Sequence, residues 1–289
     1  MIYFMSLLAY GDNLISLSLL AKLKDKKNVT IVGTNLTREI APFVPNLDIP
    51  IIVAYKKIPT FYNIRKCGVV SALKDVIWFL KNITKCTSKE DTLVFEKRDC
   101  RNRLLSGSIS QRIYEPERKD NVYVDRRNLL EAVWGVRVSL KEAVKLRNTP
   151  RCVTINPASR LKEKAISNRV LGYLVSYLRA NCINVQLIDP DQEHSNLQHL
   201  VDYYHTRSSL DHAVKWLRDC DLYIGADSLL IHFAYQYDVP FLILFNKTNS
   251  YFTPPGVENK ISYIEFVSRL SEKEFCYTLE TSLISLLKQ

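Results

Sequence analysis

Short apolar runs alternate along this chain with stretches whose apolar residues recur at helical spacing. The N-terminal run, residues 1–10, reads as a first strand, and Gly11-Asp12-Asn13 opens a helix to about residue 23 with Leu14, Leu17, Leu20 and Ala21 on one face. Strands follow at 29–33 and 49–54 around a short helix at 36–43, then an amphipathic helix at 71–83 and a strand at 92–95. From 97 to 119 the pattern breaks into a basic stretch with Arg98, Arg101, Arg103, Arg112 and Arg118, and Ser106-Gly107-Ser108 at its middle. That stretch is expected to be a surface excursion, either a solvated loop or a strip facing the interdomain cleft or an anionic acceptor. A strand at 122–124 and helices at 127–134 and 139–147 complete the first half, and Asn148-Thr149-Pro150 is the expected linker.

A second alternation begins at once. It predicts strands at 152–156 and 184–188, helices at 167–180 and 209–218, and a buried strand at 222–224 after which Gly225 lets the backbone turn. Asp227 or Ser228 then caps a helix carrying Leu230, Phe233, Ala234 and Tyr237, which Pro240 brings to an end. Strands at 241–245 and 261–266 and an amphipathic helix at 271–288 close the chain. Strand–helix alternation of this kind predicts an α/β protein of two Rossmann-like, doubly wound parallel sheets facing a cleft. The domains are expected at 1–148 and 149–289, with the final helix free to pack back on the first.

Composition narrows the chemistry. Of 289 residues, 47% are hydrophobic and 24% charged, which is globular, and the net charge of +10 points to an anionic substrate or partner. The seven cysteines are scattered and odd in number and never form a CxxC pair, so reduced thiols in a cytoplasmic protein are expected and a zinc site is not. No run reaches the roughly 18 apolar residues of a membrane span, and the apolar N-terminus lacks a basic n-region, so a signal peptide is not expected.

Three stretches carry candidate chemistry. Asp12 follows the first strand, where a carboxylate serves as a helix cap or as a base taking a proton from a hydroxyl. Ser159 and Lys164, in Asn156-Pro157-Ala158-Ser159-Arg160-Leu161-Lys162-Glu163-Lys164, precede a helix whose amide dipoles favour an anion; the glycines of a Walker loop or dinucleotide fingerprint are missing. Asp227, Ser228 and His232 crowd the junction after the strand at 222–224, with His232 one turn beyond Ser228. Two helix termini, Lys164 and His232 together suit a diphosphate without a metal, and no Asp-x-Asp pair stands by to hold one.

The order of these motifs resembles glycosyltransferase family 9, the ADP-heptose:lipopolysaccharide heptosyltransferase group. Gly11-Asp12 matches the family's strand-Gly-Asp opening, Ala158-Ser159 with Lys164-Ala165-Ile166-Ser167 its Ala-Ser…Lys-x-Trp-Pro segment, and Ile224-Gly225-Ala226-Asp227-Ser228-Leu229-Leu230-Ile231-His232-Phe233-Ala234 its Ile-Gly-x-Asp-Ser/Thr-Gly-x-x-His-x-Ala motif. Pro240, Thr248 and Pro254-Pro255 continue the likeness. Leu229, Ile166-Ser167 and Asn246 depart from it, standing where the family has glycine, Trp-Pro and glycine. The resemblance implies a GT-B fold and inverting, metal-independent transfer from a nucleotide-sugar donor. Asp12 would be the general base, while Ser159, Lys164, Asp227, Ser228 and His232 would bind the donor, with no other cofactor. The acceptor would be an anionic glycan or glycolipid of lipopolysaccharide, capsule or another cell-surface glycan, met at the cytoplasmic membrane face. Nucleic acid is not an expected partner. A non-catalytic nucleotide- or glycan-binding protein of the same fold is the alternative.

Overall fold

A computed structural model describes residues 1–59, 62, 67–106, 112–119, 121–159, 161–206, 209–246, 251–255 and 262–287. The chain divides into two compact units, Met1–Leu140 and Lys141–Gln289.

The first unit carries β1 (Ile2–Ser6), α1 (Tyr10–Leu20), β2 (Val29–Thr34), α2 (Asn35–Ile40), β3 (Ile51–Tyr55), α3 (Val69–Cys86), β4 (Thr92–Phe95), α4 (Cys100–Ser106), β5 (Arg112–Tyr114) and α5 (Val122–Trp134). Its five strands are all parallel in the order β3-β2-β1-β4-β5. β1 is flanked by β2 on one side and β4 on the other, so the strand order reverses between β1 and β4. Helix α3 seals one face by burying Ala72, Phe79 and Ile83 against Met5, Val32 and Phe95.

The second unit carries β6 (Cys152–Asn156), α6 (Asn168–Ala180), β7 (Asn184–Ile188), β8 (Tyr203–His205), α7 (Leu210–Arg218), β9 (Leu222–Ala226), α8 (Leu229–Gln236), β10 (Phe241–Leu244), β11 (Tyr263–Ile264) and α9 (Glu272–Leu287). The strands, again all parallel, run β11-β10-β9-β6-β7-β8, which puts the reversal between β6 and β9. Val153, Ile155, Leu222 and Ile224 are fully buried, and α6 lays Val170, Leu171, Leu174 and Leu178 over them. Phe275, Leu279, Leu283 and Leu286 of the closing helix α9 join this same core.

Several expectations are corrected. The residues at 122–124 start α5 instead of forming a strand: Asn121 caps the helix by accepting a hydrogen bond from the Tyr123 amide, and Gly135 (φ 65°) closes it in the left-handed region. Residues 139–147 form neither helix nor strand despite their helical periodicity, because tertiary contacts claim them. Lys141 Nζ donates to Asp238 and to the Gln236 carbonyl, the Tyr235 hydroxyl donates to the Lys141 carbonyl, and the Leu146 amide donates to Leu286. This strap belongs to the second unit, which therefore begins at Lys141 and not at the Asn148-Thr149-Pro150 linker. The basic stretch 97–119 folds in part, into α4 and β5, and its Gly107-Ser108 lies outside the described residues. Strand β8 was also unforeseen, being only three residues long.

Candidate active site

In an open parallel sheet, ligands bind beyond the carboxyl ends of the strands where the strand order reverses. All the residues singled out from sequence follow the strands that flank the two reversals.

In the second unit, Asn156 pairs in register with Gly225, so the segments leaving β6 and β9 emerge side by side. The Ser159 hydroxyl donates to the Asp227 carbonyl at 3.3 Å, and Lys164 Nζ donates to Asp227 Oδ2 at 2.6 Å. This ion pair is mostly buried, with side chains 20% and 8% exposed, and the ammonium also lies 5.8 Å from the Phe252 ring centroid. Lys164 is carried on a short 3-10 turn, Lys162–Lys164, and the carbonyls on either side of it are tied down: Asn246 Nδ2 donates to Glu163 and Ala165. Asn246, one of the departures from the family pattern, thus braces the turn that presents Lys164. Lys247 and Thr248 lie outside the described residues, as does Arg160.

Ser228 is the N-cap of α8, yet its hydroxyl accepts no backbone hydrogen bond. It neighbours the fully buried Tyr223 hydroxyl without completing a hydrogen bond, and burial pushes the Tyr223 phenol far above its ordinary range. The first turn of α8 holds no acidic residue, so its amide dipoles are not offset there. His232 sits one turn along, inside α8 and 6% exposed. Gly225 does not make the turn expected of it. It lies within β9, where a Cβ would come 2.7 Å from Tyr223 Cζ. Glycine is there so that the Tyr223 ring can cover the strand.

In the first unit, Asp12 is not a helix cap. Ala9 holds that position, and Gly11 and Asp12 lie in the first helical turn of α1. The Asp12 carboxylate is 23% exposed, and Oδ1 accepts a hydrogen bond at 2.7 Å from the Arg126 guanidinium, which is 3% exposed and also reaches the Asp12 carbonyl. Behind them Glu96, directly after β4, is 4% exposed. Burial pushes its carboxyl up; Arg126 opposes that rise and Asp12 adds to it. Ser6 Oγ is 2.8 Å from Glu96 Oε1 and also meets Asn13 Oδ1. One hydroxyl proton serves only one acceptor, so a Glu96 that keeps its own proton can donate to Ser6 while Ser6 donates to Asn13. Thr37 completes the network by donating to the Ser6 carbonyl.

Arg126 and Glu96 were missed from sequence. Glu96 had a signal, a carboxylate immediately after an apolar strand at 92–95, the strand that neighbours β1 at the reversal. Arg126 had none, since its meeting with Asp12 spans 114 residues of chain.

Two all-parallel sheets, each with a strand-order reversal and charged residues just beyond it, are the two Rossmann-like units of a GT-B fold. Escherichia coli heptosyltransferase WaaC, solved with ADP, superimposes with a TM-score of 0.68 at 11% identity, over 97% of this chain and 99% of that one. A family 9 glycosyl transferase from Veillonella parvula gives 0.68 at 16% identity over 98% and 97%. E. coli ADP-heptose lipopolysaccharide heptosyltransferase II gives 0.62 at 13% identity over 98% of each. No curated protein sequence matches the chain. The sequence profile of glycosyltransferase family 9 (heptosyltransferase) matches residues 128–276, more than half of the chain, and the protein belongs to that family.

Proposed function

We propose that this nucleotide-sugar glycosyltransferase works with inversion and without a metal, and that its acceptor is a hydroxyl of a lipopolysaccharide, capsule or other cell-surface glycan. The Asp12 carboxylate takes the proton from the acceptor hydroxyl. The freed oxygen attacks the anomeric carbon from the face opposite the diphosphate, and the bond from that carbon to the diphosphate oxygen breaks. Ser159, Lys164, Asp227, Ser228 and His232 hold the donor. The leaving diphosphate takes up its charge against Lys164 and the amides at the start of α8, with the Ser228 hydroxyl donating to a phosphate oxygen.

The observation that carries this reading is the Lys164–Asp227 pair at the β6/β9 reversal. It is a mostly buried cation held by one carboxylate beside a helix start with no acidic residue, and a diphosphate can compete for it. The solved complex of WaaC with ADP supports a nucleoside diphosphate as the ligand. Arg126 orients the Asp12 carboxylate, so the base is held in one geometry before the acceptor arrives. The anionic acceptor suits the net charge of +10, and a membrane-borne acceptor places the enzyme at the cytoplasmic membrane face. Among the described residues, no helix is long and apolar enough to cross a membrane.

The test is a donor screen that reads nucleoside-diphosphate release, run with the natural chain and Asp12→Ala. Release with one donor that falls by two or more orders of magnitude in Asp12→Ala, with donor affinity kept, is the expected result. Turnover within a few-fold of the natural chain would remove Asp12 as the base.

A further inference from the structure

Helix α3 (Val69–Cys86) is apolar on both sides. Its inner face buries Ala72, Phe79 and Ile83. On the opposite side Val69 and Val70 are each 71% exposed, Leu73 57%, Ile77 56% and Trp78 39%. A surface helix ordinarily turns charged and polar residues outward, so five exposed large apolar side chains on one helix mark a surface that something covers.

The charges on the helix say what kind of surface that is. At about 100° per residue, Val70, Lys74, Ile77 and Lys81 fall on one outward arc, flanked by Leu73 and Trp78. Lys74 and Lys81 are exposed and make no ion pair among the described residues. The single acidic residue of the helix, Asp75, projects to the other side and is half-buried. Trp78 packs against Tyr55 at the end of β3, ring centroids 4.7 Å apart, and Lys56 and Lys57, both exposed, follow immediately. Apolar anchors, an aromatic at the margin and lysines with no acid among them suit an interface of acyl chains beneath anionic headgroups. They do not suit a second copy of the same face, which would set lysines against lysines.

We propose that the outer face of α3 is a membrane-docking surface, inserting Val70, Leu73 and Ile77 at the acyl boundary of an anionic bilayer while Lys74 and Lys81 pair with its headgroups. This deepens the proposed action on a membrane-borne acceptor and is independent of the donor site. It is tested by flotation of the full chain with vesicles of phosphatidylcholine alone and of phosphatidylcholine with phosphatidylglycerol, at low and high salt. The natural chain should float with the anionic vesicles only, and less at high salt. Leu73→Gln/Ile77→Gln and, separately, Lys74→Glu/Lys81→Glu should each weaken that binding by about tenfold or more, at an unchanged melting temperature. Any of four results would overturn the proposal: failure of the natural chain to bind anionic vesicles, equal binding to neutral ones, an unchanged affinity in either variant, or a natural dimer that Leu73→Gln/Ile77→Gln converts to monomer. ADP titration of the same preparations separates the two readings. Loss of vesicle binding with ADP binding intact removes this surface alone, whereas vesicle binding without ADP binding upholds it and removes the donor assignment.

Discussion

At the scale of single residues, the proposed site rests on two charge pairs, Lys164–Asp227 and Arg126–Asp12, to which the proposal gives different jobs. Lys164 is held by Asp227 but can change partners, so Lys164→Ala should weaken ADP binding by about 1.5–3 kcal/mol, the range for a hydrogen bond to a charged group. Calorimetric titration reads this directly, and unchanged affinity would take Lys164 out of the donor site. Glu96 makes a different prediction, one of stability against pH. Its folded carboxyl is pushed up by burial, so the folded state binds the proton more tightly than the unfolded chain does. The stability this contributes is present below the ordinary carboxylate range and is lost as pH rises through the raised folded value. Glu96→Gln keeps a donor to Ser6 but removes the titration. The difference in melting temperature between Glu96→Gln and the natural chain should therefore shift in favour of the variant as pH rises from about 5 to 8. A difference that stays flat would show that Glu96 does not hold its proton more tightly when folded. Lys164, Asp227, Ser228 and Asp12 could be singled out in the sequence because each lies within eight residues of the end of a strand, so strand, turn and polar residue sit within a dozen positions. Arg126 and the Tyr223–Gly225 contact were not: the first depends on closure of a long chain segment, and the second on which way one ring lies along a strand.

At the scale of elements, the longer periodic segments were read well and the short or tethered ones were not. α6 and the strands at 152–156 and 184–188 stand where alternation placed them, since burial against a parallel sheet enforces the apolar pattern. Residues 139–147 had the helical pattern but form no helix, because Lys141 and Leu146 are tied to Asp238 and Leu286. Propensity is worth tenths of a kcal/mol per residue and yields to such contacts. β9 gives a test at this scale. Gly225→Ala puts a methyl within 2.7 Å of Tyr223 Cζ in a core with no slack, and should cost about 1–3 kcal/mol of stability by denaturant unfolding. In a Tyr223→Leu background the same substitution should cost much less, because the ring that it strikes is gone. Equal costs in the two backgrounds would show that the glycine is required by the backbone alone.

At the scale of the whole molecule, two units with separate cores and separate strand reversals imply that donor binding and proton abstraction are separable. The proposed donor residues all lie in the unit that starts at Lys141, whose core is completed from within by α9. Residues 141–289 made alone should therefore fold cooperatively and bind ADP within a few-fold of the full chain, yet release no nucleoside diphosphate in the presence of acceptor, because Asp12 is missing. A fragment cut at the sequence-predicted linker, residues 149–289, lacks the strap. It loses the burial of Leu146, worth about 1.5–3 kcal/mol, and the bonds from Lys141 to Asp238 and from Tyr235 to the Lys141 carbonyl. For a unit of this size its melting temperature should be lower by roughly 5–10 °C. Equal stability of the two fragments would mean that the strap is only laid on the surface and that the boundary lies at Asn148-Thr149-Pro150. Loss of ADP binding in a well-folded 141–289 fragment would mean instead that the first unit supplies part of the donor site, and that the division of labour between Asp12 and Lys164 is wrong.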